Sequence, residues 1–433
     1  MPITTTLKPK NNSAASYYPV SANSANNKYD WDSVVGFFIK SLHGIELHKQ
    51  IKSLNDFEQI CKNTISNQLL GEPFWPVIEQ MYFRELNVYN ISPEMQVLKT
   101  LDEESSSAGD ERLTNLFVTL KGNFELQHLV KGQPNFLEQK IKDVFDSPLV
   151  CTDKTKKPTN SVQVYLPFLS EHIKHDLTFL TQYPEYFLQN VKSFLKLYGF
   201  LYSAQLALNI KSWLAEPDVK PCYFILDSEK ASAERTSLKL HGHKQVLESS
   251  RLIFPYLALT DHLQENKVDI KPLWQLVQNY EESDVEALNA FAEAFYEDRS
   301  LTSERKVPLS IKESISYLCE LFIEQFKKGS SRETAFSNFA KAAEETFISP
   351  FVQARGRAGS FFVLNQDYLL LLTNLAIGEN DSLRLNELLA QFKSRGVYFD
   401  KDSEQCLIEL FERMGNVERM SDSGDAVYVR KTI

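Results

Sequence analysis

The sequence lacks several features that would identify a nucleotide hydrolase, a hydrolase with a serine nucleophile, or a membrane protein. No Gly-Lys dipeptide occurs in its 433 residues, so the phosphate-binding loop G-x-x-x-x-G-K-[ST] is absent. No G-x-S-x-G is present, and the five cysteines stand singly without a C-x-x-C pair. The strongest apolar run, YLLLLTNLAI, is interrupted by Thr373 and Asn374 far short of the ~20 residues that span a bilayer. We therefore expect no catalytic residues, no cofactor and no membrane span.

The sequence also lacks a signal peptide and an excess of basic residues. Its first residues have no apolar core, which together with the unpaired cysteines predicts a cytoplasmic protein. The formal charge is −10, which excludes the uniformly basic surface of a non-specific nucleic-acid binder. What the chain does have is 43% apolar residues, including 29 Phe, enough to bury substantial cores. Any nucleic-acid contact must then be local.

The composition changes along the chain and predicts four segments. Residues 1–28 are rich in Ser, Asn and Ala and predict a flexible tail. Residues 29–151 read as an N-terminal helical domain, and the polar stretch TDKTKKPTNS predicts a linker after it. Residues 162–350 predict a central helical domain, and residues 351–433 a C-terminal one.

The hydrophobic periodicity predicts a mainly α fold with a multi-helical body. Only three stretches favour strands, namely residues 162–169, residues 221–227 and the end of the chain. The segment from Pro184 to Leu214 is apolar over much of its helical circumference, which is typical of a helix in the centre of a bundle.

The C-terminal domain shows the pattern of a winged helix. One helix carries Leu385, Leu388 and Phe392 on a single face and ends at Gly396, and Asp400 or Asp402 can cap the next. This second helix ends at Gly415. Two short segments then flank Asp422-Ser423-Gly424-Asp425 and predict a hairpin. Helix, turn, helix and hairpin follow one another in the winged-helix order.

Two groups of residues are candidates for contact with double-stranded DNA. Arg355 and Arg357 can pair with phosphates, while the backbone at Gly356 lies open to close approach. The second group lies on the predicted hairpin and consists of Arg419, Arg430 and Lys431. The helix between 401 and 414 has two basic against four acidic side chains and is poorly suited to a DNA groove. A flexible connector at 354–362 and a winged helix that binds protein are the alternatives.

A metal-dependent nuclease is a further alternative. Asp218, Asp227 and Glu229 loosely follow the PD and D/E-x-K pattern of carboxylates that hold Mg²⁺. Asp227 and Lys230 are three residues apart rather than two, so they would not share a face of a strand. Histidines at 172, 175, 241 and 243 lack cysteine or carboxylate partners in the pattern of a zinc site. We therefore predict no metal site.

The end of the chain resembles a known family. About the last 70 residues, from LNQDYLLLLTNLAIG to SDSGDAVYVRKTI, are similar to the end of DptG (also called DndG), a family of bacterial phosphorothioation-dependent restriction systems. The resemblance implies an anti-phage defence protein that works beside an ATPase-like DptF and a helicase-like DptH. It brings no catalytic residues with it.

These observations leave three hypotheses. The first is a non-enzymatic subunit of a DNA restriction complex that assists DNA engagement and docks ATPase and helicase partners. The second is an assembly scaffold that contacts protein and no DNA. The third is the Mg²⁺-dependent nuclease.

Overall fold

A computed structural model of the chain describes residues 3, 6–66, 74–101, 108–124, 126, 134–153, 161–230, 234–264, 268–419 and 427–433. It is 62% helix and 8% strand, which confirms the mainly α fold class. The contacts divide the chain into two units. The N-terminal unit comprises Lys28–Pro158 and Lys174–Leu195, and the main unit comprises Met1–Asn27, Thr159–Ile173 and Lys196–Ile433.

The N-terminal unit is built from short helices around an aromatic core. Phe57 lies between Phe83 and Phe145, with ring centroids 6.0 and 6.2 Å away. Its regular elements are α1 (Trp31–His43), β1 (Ile45–Leu47), α2 (Leu54–Ser66), α3 (Trp75–Ile78), α4 (Ala108–Lys121), α5 (Phe136–Phe145) and β2 (Cys151–Asp153). Strands β1 and β2 pair antiparallel. A π-helical turn at Glu79–Arg84 and 3-10 turns at Asn87–Asn90 and Pro93–Leu101 complete it.

The main unit begins with helices and a short parallel strand pair. Its first elements are β3 (Ser161–Val162), α6 (Pro167–Leu180), α7 (Pro184–Asn209), β4 (Cys222–Leu226), α8 (Thr236–Leu240), α9 (His243–Ser250), α10 (Ile253–His262), β5 (Asp269–Ile270), α11 (Leu273–Asn279), α12 (Val285–Arg299), α13 (Ile311–Glu324) and α14 (Glu333–Ala343). Residues 174–195, which include the end of α6 and the first part of α7, belong to the N-terminal unit. Strand β3 pairs with β5.

The rest of the main unit contains two small sheets. Its elements are β6 (Val352–Ala354), β7 (Ser360–Leu364), α15 (Gln366–Ile377), β8 (Ser382–Arg384), α16 (Leu385–Ser394), β9 (Val397–Tyr398), α17 (Lys401–Met414), β10 (Val417–Arg419) and β11 (Val427–Arg430). One sheet has the order β6-β7-β4-β9, with β7 and β9 parallel to β4. Phe200 of α7 packs on it, with its ring centroid 5.5 Å from that of Phe224 and 5.0 Å from that of Phe362.

The second sheet confirms the predicted winged-helix arrangement at the C-terminus. The order is α15, β8, α16, β9, α17, β10, β11, and apart from β9, which pairs with the other sheet, this is helix, strand, helix, helix, strand, strand. Strand β11 lies between β10 and β8, and both pairings are antiparallel. Asp400 caps α17 by accepting from the Ser403 amide at 3.0 Å, and Gly415 ends it with φ +74°. The predicted turn at 422–425 lies outside the described residues.

The structure differs from the sequence-based prediction at the N-terminus. Instead of a flexible tail over 1–28, the described residues before 28 pack in the main unit. Tyr17 and Tyr18 are 4% and 1% exposed, and the Tyr18 hydroxyl donates to Ser203 Oγ at 3.0 Å. Although the segment is mostly polar in composition, its few aromatic and aliphatic side chains are sufficient to anchor it.

The predicted strand at 162–169 is wrong beyond its first residue. Only Ser161–Val162 is a strand, and α6 begins at Pro167. Leu166, Leu169 and Ile173 are fully buried at helical spacing, and proline is well tolerated in the first turn of a helix. The strand predicted at 221–227 is confirmed as β4.

The predicted domain boundaries also differ from the boundaries of the two contact-defined units. The change from the N-terminal to the main unit falls between 158 and 159, inside the predicted linker, but residues 174–195 return to the N-terminal unit. Residues 351–433 do not form a separate body, because β7 and β9 both pair with β4 of the predicted central domain. The winged helix is therefore built into the main unit through a shared sheet.

Candidate nucleic-acid interface

The candidate loop at Arg355, Gly356 and Arg357 is the tip of a β-hairpin. Strands β6 and β7 pair antiparallel on either side of it, and the tip makes a 3-10 turn at Gly356–Ala358. The Arg355 amide donates to the Gly359 carbonyl at 2.8 Å, closing the turn. Gly356 has φ +58° and Gly359 has φ +104°, backbone conformations that residues with a side chain rarely adopt. The loop is thus a defined turn rather than the flexible connector that the alternative interpretation required.

The two arginines of this loop have different environments. Arg355 Nη2 donates to the Asp227 carbonyl at 2.7 Å and lies 3.5 Å from the Asp227 carboxylate. Its side chain is 26% exposed. Arg357 is exposed and has no ion pair among the described residues. Arg355 therefore anchors the hairpin to the end of β4, whereas Arg357 is available to a phosphate.

The wing of the winged helix is the hairpin formed by β10 and β11, and its basic residues are less available to DNA than the sequence suggests. Arg430 forms an ion pair with Glu418 across the β10–β11 ladder. Lys431 Nζ lies 3.5 Å from the Gly378 carbonyl oxygen. For Arg419 the structure describes the backbone only, which pairs with Val427. The wing offers a weaker cationic surface than three independent basic side chains would.

The last helix of the winged helix, α17, has an acidic outer face. Ser403, Leu407 and Phe411 are buried against the main unit. The exposed positions carry Lys401 and Arg413 against three carboxylates, at positions 402, 409 and 412. A helix with this face would meet phosphates with net repulsion, so α17 is unsuited to a DNA groove.

A buried ion cluster holds α17 on the sheet, and the sequence analysis did not predict it. Arg235 pairs with Glu229 at the end of β4 and with Asp400 at the start of α17. Its side chain is 8% exposed, and that of Glu229 only 4%. Ser403 Oγ accepts from Arg235 at 2.7 Å and donates to Glu229 Oε2 at 2.8 Å. The cluster thus connects β4, α8 and α17.

The charge state of Asp400 depends on this cluster. Burial alone would raise the pKa of the carboxyl group, but hydrogen bonds from Arg235 and from the Ser403 amide lower it below its ordinary value. Asp400 is therefore ionised at neutral pH and pairs with a permanent cation. The only local sequence signal for this group is the position of Asp400 as an N-cap.

The three carboxylates of the nuclease hypothesis have separate structural roles. Glu229 belongs to the Arg235 cluster, Asp227 Oδ1 accepts from Gln353 at 2.9 Å, and Asp218 forms an ion pair with Lys220. Within the part of the chain that the structure describes, no group of three His, Cys, Asp or Glu side chains could hold a metal ion. His172 Nε2 lies 3.0 Å from the Ser394 carbonyl oxygen, and the His243 ring contacts Phe362 edge to face.

Comparison of the chain with protein-family models and with curated proteins found no match. None of the helices over the described ranges is both long enough and apolar enough to cross a membrane.

Proposed function

We propose that this chain is a non-enzymatic subunit of a bacterial phosphorothioation-dependent DNA restriction complex. In this proposal it assists DNA engagement, and its helical body docks ATPase and helicase partners that supply energy. The observation that carries the proposal is the winged helix at residues 366–430, which is the segment whose sequence resembles the DptG family. A chain without a nucleotide-binding loop needs partners for any step driven by ATP.

In this proposal DNA is contacted through its phosphates rather than its bases. The exposed Arg357 lies on the hairpin next to β4, and β9, in the turn of the winged helix, flanks β4 on the other side. Two strand spacings, about 10 Å, separate β7 of the hairpin from β9, so in this proposal both sides of β4 follow one DNA backbone. Contacts of this kind position a protein on DNA without reading its sequence.

The assembly scaffold is the second candidate, and the acidic face of α17 favours it. In that proposal α17 binds a basic surface of a partner protein, and the chain makes no DNA contact. The two candidates differ in a direct measurement, because only the first requires affinity for duplex DNA that weakens with salt.

Arg357→Ala is expected to weaken binding to duplex DNA by a similar factor for all sequences. Losing one phosphate contact should reduce the slope of log affinity against log salt concentration by about 1. Fluorescence anisotropy with labelled duplexes at several salt concentrations measures both effects. Because Arg357 is exposed, the substitution should leave the fold intact.

The matched control is Arg413→Ala, which removes an exposed arginine from the last turn of α17. The proposal predicts an unchanged slope for this variant, since α17 does not enter the groove. No binding of the unaltered chain at low salt would contradict the DNA proposal and favour the scaffold.

A further inference from the structure

The outer face of the C-terminal sheet carries an aromatic side chain among charged ones. In this sheet β11 is the central strand, and Tyr428 lies opposite Arg384 of β8 and Glu418 of β10. The next residue, Val429, is fully buried on the inner face. Because side chains alternate along a strand, Tyr428 and Arg430 both stand on the outer face. The sequence analysis singled out neither Arg384 nor Tyr428.

The Tyr428 ring is held in one orientation and is partly exposed. Arg384 Nε donates to the Tyr428 hydroxyl at 2.8 Å, and Arg384 Cζ lies 5.6 Å from the ring centroid. Atoms stacked flat on a ring lie about 3.5–4.0 Å from it, so the guanidinium stands toward the hydroxyl end and does not cover the face of the ring. A ring fixed on a central strand is a rigid surface for stacking.

Two exposed arginines stand near this ring. No described residue accepts a hydrogen bond from the terminal nitrogens of Arg384, whose Nε alone is bound to Tyr428. Arg430 pairs with Glu418, but both side chains are exposed to water, at 56% and 39%, so the pair is weak and a phosphate can replace the carboxylate. Two cations against one carboxylate give the outer face a positive balance, opposite to that of α17.

An aromatic ring with arginines beside it is the combination that binds single strands of nucleic acid. A base stacks on the ring, while basic side chains pair with the phosphates on either side of it. Inside a duplex both faces of each base are covered by the neighbouring base pairs, so a sheet cannot reach them without extruding the base. The Arg357 hairpin offers charge without an aromatic ring and suits the duplex backbone instead.

We propose that the outer face of this sheet binds single-stranded DNA, with one base stacked on Tyr428 and the adjacent phosphates paired with Arg384 and Arg430. This assignment rests on the proposed function and divides DNA engagement between two surfaces. The sheet holds an unpaired strand, and Arg357 contacts the backbone of the duplex. A helicase partner in the proposed complex would produce the unpaired strand.

Fluorescence anisotropy of the full chain tests the proposal with two labelled probes, a single-stranded oligo-dT of about 15 nucleotides and a duplex of the same length. Tyr428→Leu should weaken binding of the single strand at least about fivefold, the lower end of the effect of stacking one base, and leave binding of the duplex unchanged. Tyr428→Phe keeps the face of the ring and should keep most of the affinity. Unchanged duplex binding also shows that the variants are folded.

Two arginine variants complete the test. Arg384→Gln should reduce the salt slope of single-strand binding by about 0.7, the value for one phosphate contact. Arg357→Ala should give the reverse pattern, with weaker duplex binding and unchanged single-strand binding. Single-strand binding that is absent, or that Tyr428→Leu leaves unchanged, would overturn this assignment while duplex binding still supports the proposed function. Absence of binding to both probes at low salt would contradict the two proposals together.

Discussion

Arg235→Met is expected to destabilise the main unit by about 3–5 kcal/mol, the effect of removing one partner from a buried ion pair. Glu229 would remain 4% exposed and would lose its cation, while Asp400 would lose the same partner at the start of α17. Methionine keeps much of the arginine stem's volume, so the loss is mainly electrostatic. Urea unfolding, followed by pulsed hydrogen exchange of peptides from β4 and α17, measures it.

Arg305→Met is the control for this experiment. Arg305 also pairs with two carboxylates, those of Glu293 and Glu297, but its side chain is 50% exposed and theirs are 52% and 63% exposed. Exposed pairs contribute little because water and salt screen them. The unfolding curve of the Arg305→Met variant should stay close to that of the unaltered chain. Equal effects of the two substitutions would show that the Arg235 cluster does not stabilise the fold.

The same cluster predicts a dependence on pH. Because the pKa of Asp400 is lowered on folding, its contribution to stability is present above the unfolded pKa of about 4 and is lost as the pH falls through the folded value. The stability difference between the unaltered chain and Arg235→Met should therefore shrink in acid. A difference that stays constant down to pH 2 would exclude Asp400 as the titrating group.

Gly396→Ala is expected to destabilise the main unit by about 2–4 kcal/mol, from backbone strain and lost hydrogen bonds together. Gly396 has φ +85° in the turn between α16 and α17, and a Cβ there would overlap the amide of Gln205. Gln205 is fully buried, donates to the Lys220 carbonyl at 2.7 Å and accepts from the Lys220 amide at 2.9 Å. Displacing it leaves buried polar groups unpaired.

Gly415→Ala separates the two contributions. Gly415 has φ +74° at the end of α17, but a Cβ there would meet no atom within 4 Å. The Gly415→Ala variant should therefore lose only the stability that corresponds to backbone strain, about 1–2 kcal/mol. Urea titration of both variants gives the difference between them, which we assign to the overlap with Gln205. A Gly415 variant as unstable as the Gly396 variant would contradict this assignment.

Features of the fold that depend on residues close together in the sequence could be predicted from it. The apolar spacing of Leu407 and Phe411, the capping aspartate and the terminal glycine together define α17 almost residue by residue. The hairpin after it was also predicted from local signals. By contrast, β8 is three residues long and is recognisable only through its pairing with β11, which is distant in sequence. Short strands of this kind carry almost no periodic signal.

The candidate site shows the same limit. Sequence alone indicated that Arg355 and Arg357 share a loop, but it could not show that one of them is bound to Asp227, 128 residues away. The Arg235 cluster joins residues 165 positions apart and has no local pattern. The packing of Tyr17 and Tyr18 was missed because composition averaged over 28 residues conceals two aromatic side chains.

The central proposal is that this chain acts as a non-enzymatic subunit of a DNA restriction complex. Purification of the tagged chain from cells that also express the proposed partners, a DptF-like ATPase and a DptH-like helicase, tests it most directly. The account predicts that both partners remain bound through gel filtration, and that nucleotide hydrolysis in the complex depends on the partners' nucleotide-binding loops. Elution of this chain alone, while the other two proteins assemble without it, would contradict the account.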